Sequence, residues 1–333
     1  MAATYTVGTG KTYSTIQSAV DAVPGDLSGQ GIQTIKIYAT AASKYTGNVD
    51  AVTGFTNAGA SDYIHIIGMV SHKGIRNMGI IIEGQPPHAG YNILNVVDYT
   101  RIDNIAITQN GTNNAGTIAL NFQANNIFRK VIIYDIDCNG GGPNGYYSTF
   151  NGNNKYLYNC MIMNMTGTID ARAMYFRNGT GHKCYNCTAH NQKGAGIYLR
   201  DVTINITNCY IGTVTLGNQG IYKLSGANPT VNHTITKDAT ATNWGGSGNQ
   251  INKQPGDQFQ NANAGSENLH LKNGADCIDA GTSTAPDVTE DINGYPRPYG
   301  ANYDVGADEM YPSGVNLTRL GIGFSGTIKS NAI

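Results

Sequence analysis

The sequence predicts an all-β fold: a right-handed parallel β-helix, which is a solenoid of stacked coils, with an N-terminal capping helix and a C-terminal extension. Two strand-like phrases recur with a shared spacing of about 25 residues, and such a repeat is the sequence signature of a solenoid. Glycine supplies 43 of the 333 residues, and glycine and asparagine tolerate the positive φ angles that frequent turns require. The hydrophobic fraction of 40% is sufficient for a continuous core.

The first repeated phrase is a short strand with an apolar residue at its second position. These second positions are 26, 29, 27 and 22 residues apart, and the phrase alternates with the period of two that strands show. We expect Ile105, Val131, Cys160, Cys187 and Cys209 to stack as one interior column, preceded by a column of asparagines at the strand entry. The phrase reads Asn104-Ile105-Ala106-Ile107, Lys130-Val131-Ile132-Ile133, Asn159-Cys160-Met161-Ile162, Asn186-Cys187-Thr188-Ala189 and Asn208-Cys209-Tyr210-Ile211.

The second repeated phrase lies between occurrences of the first, with spacings of 23 and 24 residues. Two interleaved ladders with one period indicate that each coil contains at least two strands. The phrase reads Ala173-Met174-Tyr175-Phe176-Arg177, Gly196-Ile197-Tyr198-Leu199-Arg200 and Gly220-Ile221-Tyr222-Lys223-Leu224.

The cysteines allow two other interpretations, a disulfide framework and a metal or redox pair. A chain of 333 residues hardly needs disulfide bonds for stability, and free cysteine behaves as a small buried hydrophobe. Cys184 and Cys187 have the spacing of a metal or redox pair, but the second pair of a zinc site is missing. Three residues apart on one strand would also place them on opposite faces, so we predict neither function.

Residues 14–25 predict a helix that caps the first coil, because an open end of a solenoid leaves strand edges unpaired. Ser14-Thr15-Ile16-Gln17 has the pattern of a capping box, and Pro24-Gly25 ends the helix. An apolar stripe with helical spacing would lie across the coil, and the isoleucines that follow begin the strands. The stripe is Ile16, Ala19, Val20 and Val23, and the isoleucines are Ile35, Ile37, Ile64 and Ile66.

Two regions resemble hallmarks of the pectin-lyase-like superfamily. The run Tyr13-Ser14-Thr15-Ile16-Gln17-Ser18-Ala19-Val20-Asp21-Ala22-Val23-Pro24-Gly25 resembles its N-terminal cap. The second region resembles the ending of β-helix repeat proteins of bacteria and phages, and reads Leu269-His270-Leu271, Cys277-Ile278-Asp279-Ala280-Gly281, Asp291-Ile292-Asn293-Gly294-Tyr295-Pro296-Arg297-Pro298 and Asp304-Val305-Gly306-Ala307-Asp308-Glu309.

The resemblance implies a right-handed parallel β-helix in four parts. These are a cap at 1–30, the coils at 31–265, a C-terminal coil and cap segment at 266–310, and an apolar tail at 311–333. The superfamily includes lyases, hydrolases, esterases, adhesins and phage spikes, so the fold alone does not assign a function.

Composition argues against two kinds of partner. The formal net charge is −1 and 13% of the residues are charged, so we expect no nucleic-acid partner, which would require a basic face. The sequence has no run of about 18 apolar residues, so we expect no membrane partner. The N-terminus has neither a basic nor an apolar signal region, which indicates a removed signal or a protein made without export.

The resemblance raises the possibility of an enzyme that cleaves polysaccharides. Such β-helix enzymes carry acidic residues on an outer strand face, with an arginine nearby and sometimes a calcium ion. The signature motifs of polygalacturonases and pectin methylesterases are absent, and outer charged residues are usually only solvated. The sequence therefore favours a non-enzymatic protein with no metal or cofactor, calcium being expected only for a lyase. The catalytic candidates are Asp170, Arg177, Arg200, Asp201 and His190, with Arg172 and His182 nearby in sequence.

The aligned tyrosines Tyr175, Tyr198 and Tyr222 are the candidates for a binding surface. If their apolar neighbours face inward, these tyrosines face outward beside Arg177 and Arg200. Aromatic side chains on a rigid surface suit either sugar stacking or a protein interface. The alternative is that the column is interior or covered by a loop.

The apolar tail at 311–333 either folds back on the solenoid or docks on a neighbouring subunit, and we favour the neighbour because the C-terminal hallmark is complete before it. Its docking residues would be Leu317, Leu320, Ile322 and Phe324.

Three functions remain open, and we favour a non-enzymatic virion structural protein, such as a phage head decoration or tail-spike component, that uses the β-helix as a rigid scaffold and binds glycan. The others are a secreted polysaccharide lyase or glycoside hydrolase, and a carbohydrate-binding module or adhesin at a cell surface. The expected partners of a virion protein are a capsid or tail protein or a polysaccharide, and the expected assembly is a homotrimer.

Overall fold

The structure is a computed structural model. It describes residues 1–39, 44–46, 49–52, 54–84, 92–111, 118–138, 144–148, 152–167, 171–212 and 219–311. In the described part of the chain, no helix is long and apolar enough to span a membrane.

The described residues form twenty-two strands and three short helices. The helices are α1 (Ile16–Asp21), a 3-10 helix (Thr240–Trp244) and α2 (Pro255–Gln258). The strands are β1 (Ala3–Val7), β2 (Gln33–Ile37), β3 (Lys44–Thr46), β4 (Val49–Val52), β5 (Ile64–Gly68), β6 (Ile81–Gly84), β7 (Asn92–Val96), β8 (Thr100–Gln109), β9 (Ile118–Phe122), β10 (Ile127–Cys138), β11 (Asn144–Ser148), β12 (Tyr156–Tyr158), β13 (Met161–Gly167), β14 (Arg172–Tyr185), β15 (Thr188–Gln192), β16 (Ile197–Thr207), β17 (Tyr210–Ile211), β18 (Ile221–Ser225), β19 (Thr230–Asn232), β20 (Ile235–Thr236), β21 (Phe259–Asn261) and β22 (Asn268–Leu271).

Strands β1 to β20 pair in parallel on three faces of a solenoid, which confirms the β-helix expected from the repeat. Face A contains β1, β2, β5, β8, β10, β12, β14, β16 and β19. Face B contains β3, β6, β8, β10, β13, β15, β17 and β20. Face C contains β4, β7, β9, β11, β14, β16 and β18. The long strands β8, β10, β14 and β16 each bend from one face to the next.

The interior column expected from the first phrase is confirmed. Strand register places Ile105 beside Val131, and the next three pairings of face B continue the column through Cys160, Cys187 and Cys209. All five side chains are 0% exposed, so the cysteines serve as small core residues.

The residue before each member of this column forms the corner between faces A and B. Asn104, Asn159, Asn186 and Asn208 have positive φ angles of 59°, 50°, 53° and 54°, a conformation that asparagine adopts more readily than most residues. The prediction that Cys184 and Cys187 lie on opposite faces of one strand is wrong. Both side chains face the core, because the chain turns between them instead of continuing as one straight strand.

The N-terminal helix α1 buries Ile16, Ala19 and Val20 against the solenoid core, as expected. Its cap differs from the expected capping box. Thr15 is the N-cap residue, and its Oγ1 accepts a hydrogen bond from the backbone nitrogen of Ser18 at 3.1 Å, so the cap lies one residue later than Ser14. Strand β1 precedes the helix and already pairs with β2, so the strand ladder begins inside the region assigned to the cap.

The segment after the solenoid lies along face B. Strands β21 and β22 form a separate antiparallel pair, and apolar residues of 259–307 make a second core against the outward side chains of face B. The second core joins Ile81, Ala106, Ile132, Tyr134, Met161, Met163, Tyr210 and Ile235 to Phe259, Leu269, Leu271, Ala275, Cys277, Ile292, Val305 and Ala307.

Candidate functional site

The predicted tyrosines lie in register on the outer side of face C. Tyr175 is paired with Tyr198, and Tyr198 with Tyr222. Their ring centroids are 4.8 Å and 5.1 Å apart. Because the flanking residues Met174 and Phe176 belong to the core, the column points outward. Tyr175 is only 6% exposed, so the alternative of a covered column applies to this one residue, while the other two rings are partly exposed.

Arginines accompany the tyrosines on face C. The guanidinium carbon of Arg172 lies 4.2 Å from the ring centroid of Tyr198 and 5.1 Å from that of Tyr175, which is within the range of a cation–π contact. Arg177 is paired with Arg200 on the next coil. We call this surface the tyrosine–arginine face: Tyr175, Tyr198, Tyr222, Arg172, Arg177 and Arg200. It combines flat aromatic groups with cations on a rigid sheet.

The catalytic candidates do not all belong to this surface. Asp170 lies outside the described residues. Arg200 and Asp201 form an ion pair at 3.8 Å with side chains 41% and 52% exposed, and pairs exposed to this extent contribute little to stability. Among the candidates that the structure describes, Asp201 is the single carboxylate at this face. A glycosidase needs two carboxyl groups on either side of the scissile bond, and Asp170, the other acidic candidate, lies outside the described residues, so this pair stays a prediction.

The two histidines suggested by sequence lie elsewhere. His190 is on face B, buried beneath the C-terminal segment, where its Nε2 lies 2.9 Å from the carbonyl oxygen of Ala262. Burial lowers its pKa. His182 is buried against Phe176, and burial lowers its pKa to about 4. His190 therefore lies on a different face from Arg177 and Arg200, because the coil turns between their strands.

No group of three or more histidine, cysteine, aspartate or glutamate side chains in the described residues could hold a metal ion. The tail candidates Leu317, Leu320, Ile322 and Phe324 lie outside the described residues, so tail docking stays a prediction.

Sequence reasoning missed a second aromatic surface, on the outer side of face A. Tyr158 stacks on Tyr156 with ring centroids 5.8 Å apart and on Tyr185 at 5.7 Å. The Lys183 ammonium lies 5.2 Å from the ring centroid of Tyr156, and the Arg129 guanidinium lies 5.6 Å from that of Tyr158. A signal was present, since the tripeptide Tyr-Asn-Cys occurs at 158–160 and again at 185–187 and places a tyrosine before two of the four corner asparagines.

A groove runs between these face A tyrosines and residues 282–290 of the C-terminal segment. It contains two cavities of about 120 Å³ and 400 Å³ that share Asp287 in their lining. Ion pairs of Lys130 with Glu290 at 2.7 Å and of Lys183 with Asp287 at 2.6 Å join the segment to the solenoid. We call this feature the face A groove.

The corner asparagines also fasten this segment. The Nδ2 of Asn159 donates to the carbonyl of Glu290 at 2.5 Å, and that of Asn208 donates to the carbonyl of Thr282 at 2.7 Å. The hydroxyl of Thr284 donates to Asn186 Oδ1 at 2.9 Å. The column that sets the corner thus positions the wall of the groove.

The C-terminal hallmark forms a buried ion cluster. Arg297 donates to the Glu309 carboxylate at 3.1 Å and to the carbonyls of Asp304 and Gly306 at 2.9 Å and 2.8 Å. Burial raises the pKa of Glu309 to about 7 and those of Asp291 and Asp304 to about 6. Because the Arg297 and Glu309 side chains are almost wholly buried, this cluster serves to hold the segment together.

No known protein-family model matches the chain, and no curated protein matches it. Solved structures with likeness to it include a deglycosylated pectin methylesterase from Aspergillus niger, at 15% identity and a TM-score of 0.43, over 80% of this chain and 89% of that one. The pectate lyase Pel9A gives 13% identity and a TM-score of 0.34, over 93% of this chain and 97% of that one. The strand pairings of faces A, B and C establish the architecture independently of these likenesses. The fold is a right-handed parallel β-helix.

Proposed function

We propose that this protein is a rigid, non-enzymatic scaffold that binds an acidic polysaccharide on its tyrosine–arginine face. The observation that carries the proposal is the position of Arg172 over two rings of the tyrosine column. Tyrosine rings offer flat contact area to the apolar side of a sugar, and arginine makes charge-assisted hydrogen bonds to carboxylates or sulfates. Because the coils repeat, tyrosine rings and arginine side chains follow one another along face C, and a polysaccharide chain can contact several of them at once.

A binding titration tests the proposal. We expect polygalacturonate to bind the protein, and Tyr198→Ala to weaken binding about tenfold, the effect of losing about 1.4 kcal/mol of stacking and cation–π contact. Arg172→Gln should weaken binding of polygalacturonate and also make it less sensitive to salt. Tyr299→Ala, at an exposed tyrosine of the C-terminal segment, is the matched control and should bind normally. Equal affinity for polygalacturonate and neutral dextran would contradict the proposal.

Catalysis is the competing function, and the same samples test it. Unsaturated uronate products absorb in the ultraviolet, and a reducing-sugar assay detects hydrolysis; both are measured with added calcium. Activity that disappears in Arg200→Ala or Asp201→Ala would replace the scaffold with a polysaccharide lyase or glycoside hydrolase. We expect no product in either assay.

The proposed setting is the surface of a virion, as a head decoration or tail-spike component held by a capsid or tail protein. The support comes from the sequence: the low charge and the apolar tail. Secretion or display at a cell surface is the alternative. We further propose a homotrimer joined through the tail, and light scattering of the full chain tests it. We expect the unsubstituted protein to be a trimer and the Phe324→Asp variant to be a monomer. A monomeric unsubstituted protein would contradict the proposal.

A further inference from the structure

Three sulfur atoms lie close together in the core beside the corner between faces A and B. Cys184 lies on β14 shortly before that corner, and Cys209 lies directly after the corner on the next coil. The Sγ atom of Cys184 is 3.8 Å from the Sγ atom of Cys209 and 3.5 Å from the Sδ atom of Met174. All three side chains are 0% exposed, and we call this group the sulfur cluster.

Cys184 differs from its neighbours in what its thiol contacts. The thiol of Cys187 donates to the carbonyl oxygen of Tyr185 at 3.3 Å. The thiol of Cys209 donates to the carbonyl oxygen of Cys184 at 3.2 Å, which holds the two cysteines against each other. In the described part of the chain, the hydrogen-bond contacts of the Cys184 thiol are all with sulfur, which is a weak acceptor. Loss of the Cys184 proton therefore removes no strong hydrogen bond.

The turn of the coil brings the two cysteines together. Cys184 is in register with Ile206 of the next coil, and the chain reaches Cys209 after the corner at Asn208, where φ is 54°. The two cysteines are 25 residues apart, which is one coil of the solenoid. A bond between their sulfur atoms therefore closes one complete coil and joins it covalently to the next.

We infer that Cys184 and Cys209 form a disulfide when the protein meets a small two-electron oxidant, such as hydrogen peroxide or a diazene. The two thiols lose two protons and two electrons, and one sulfur–sulfur bond forms; the peroxide is reduced to water and the diazene to a hydrazine. A disulfide bond is about 2.05 Å long, so the two sulfur atoms approach each other by about 1.8 Å. The inference concerns the core, so it is independent of the glycan surface proposed on face C.

The disulfide holds the coil closed. A cross-link restricts the open chain to a loop of 25 residues, and disulfides that close loops of this length make opening about tenfold or more rarer. Strands β15 and β16 lie inside the loop. We expect amide hydrogens of β15 and β16 to exchange about tenfold or more slowly after oxidation. Unchanged exchange in the oxidised protein contradicts this consequence.

Oxidation of the native chain with diamide, a diazene that reacts with thiols, tests the inference. After overnight incubation the remaining thiols are blocked with N-ethylmaleimide in denaturant, and the protein is digested with trypsin without reduction. Trypsin leaves Cys184 and Cys187 together on peptide 184–193 and Cys209 on peptide 201–223. We expect mass spectrometry to find these peptides linked and dithiothreitol to separate them.

Alanine variants identify the partner of Cys209. Cys184→Ala should form no link between peptides 184–193 and 201–223. Cys187→Ala is the matched control, because Cys187 is equally buried and lies on the same peptide, and it should form the link as the unsubstituted protein does. Cys277→Ala, in the second core, should form it too. Circular dichroism establishes that each variant is folded, and Cys209→Ala provides the same test if Cys184→Ala does not fold.

Three results overturn the inference. The first is a thiol count that stays unchanged in the native protein under conditions that convert free cysteine completely to cystine. The second is a link that forms in Cys184→Ala as readily as in the unsubstituted protein, which would assign the bond to Cys187. The third is a link that appears only among random pairings that include Cys277, which would show that the unfolded chain reacts instead of the sulfur cluster.

Discussion

Replacement of Arg297 by methionine tests whether the buried ion cluster holds the C-terminal segment on face B. The guanidinium makes three hydrogen bonds, to the Glu309 carboxylate and to two backbone carbonyls. Removing one member of a buried ion pair costs about 3–5 kcal/mol, because the remaining charge is left without compensation. At about 1.4 kcal/mol for each factor of ten, the segment should open at least about a hundredfold more often.

The pH dependence distinguishes this mechanism from a simple loss of packing. The pKa of Glu309 is about 7 in the folded protein, raised from 4.5 by burial, while Arg297 acts in the opposite direction. Between these pKa values the folded state holds more protons than the unfolded state, so stability rises as the pH falls through 7. Without Arg297 the pKa of Glu309 rises further. At about pH 5 the carboxyl is then neutral, and the penalty of the substitution shrinks.

Hydrogen exchange of peptides from 291–310 provides the assay, because it reports opening of this segment alone. We expect Arg297→Met to reduce protection about a hundredfold or more at pH 8 and about tenfold or less near pH 5, after correction for the intrinsic exchange rate. Arg200→Met, at an exposed arginine, should change neither value. An equal loss of protection at both pH values would refute the argument that the charge of Glu309 causes the penalty. A loss below tenfold at pH 8 would refute the argument that Arg297 holds the C-terminal segment on face B.

Three other predictions concern the core column, the corner and the acid cluster. Ile105→Ala should lower the free energy of unfolding by about 2–5 kcal/mol, because it opens a cavity at a fully buried site; a denaturant titration showing a loss under about 1 kcal/mol contradicts this. Asn208→Ala should be less stable than Asn208→Gly by about 1–2 kcal/mol, because only alanine is strained at a φ of 54°. Equal melting temperatures of the two variants would contradict the argument that position 208 disfavours residues with a Cβ atom. In the unsubstituted protein the pKa values of Asp291 and Asp304 are raised to about 6, so peptides from 291–310 should be better protected at about pH 5 than at pH 8; the opposite trend contradicts the linkage.

The coils could be predicted from the sequence because the residues that define each coil are close together in the chain and recur at a regular spacing. The column from Ile105 to Cys209 and the tyrosine register of face C both follow from residues that recur once in each coil. Stacking requires like residues above like, so the spacing in sequence translates directly into neighbours in space. The two missed details, the cap at Thr15 and the inward direction of both Cys184 and Cys187, depend on single turns that periodicity does not resolve.

The groove and the covering of face B could not be predicted in this way. Lys130 and Glu290 are 160 residues apart along the chain. A contact of this kind occurs once and produces no repeating pattern in the sequence. His190 illustrates the consequence, since it lies beneath the C-terminal segment and contacts Ala262, which is 72 residues away along the chain. The small cavity of the groove likewise forms only when β10, β12 and residues 286–290 are brought together.

The fastening of the C-terminal segment by corner asparagines has a consequence for assembly of the fold. Asn159, Asn186 and Asn208 belong to three successive coils, and each meets a different residue of one continuous stretch. A slip of one residue in any of these coils would turn its strand over and carry its asparagine out of reach. Residues 282–290 therefore meet all three asparagines only when the coils beneath them are in the correct register, and a misaligned solenoid lacks these contacts.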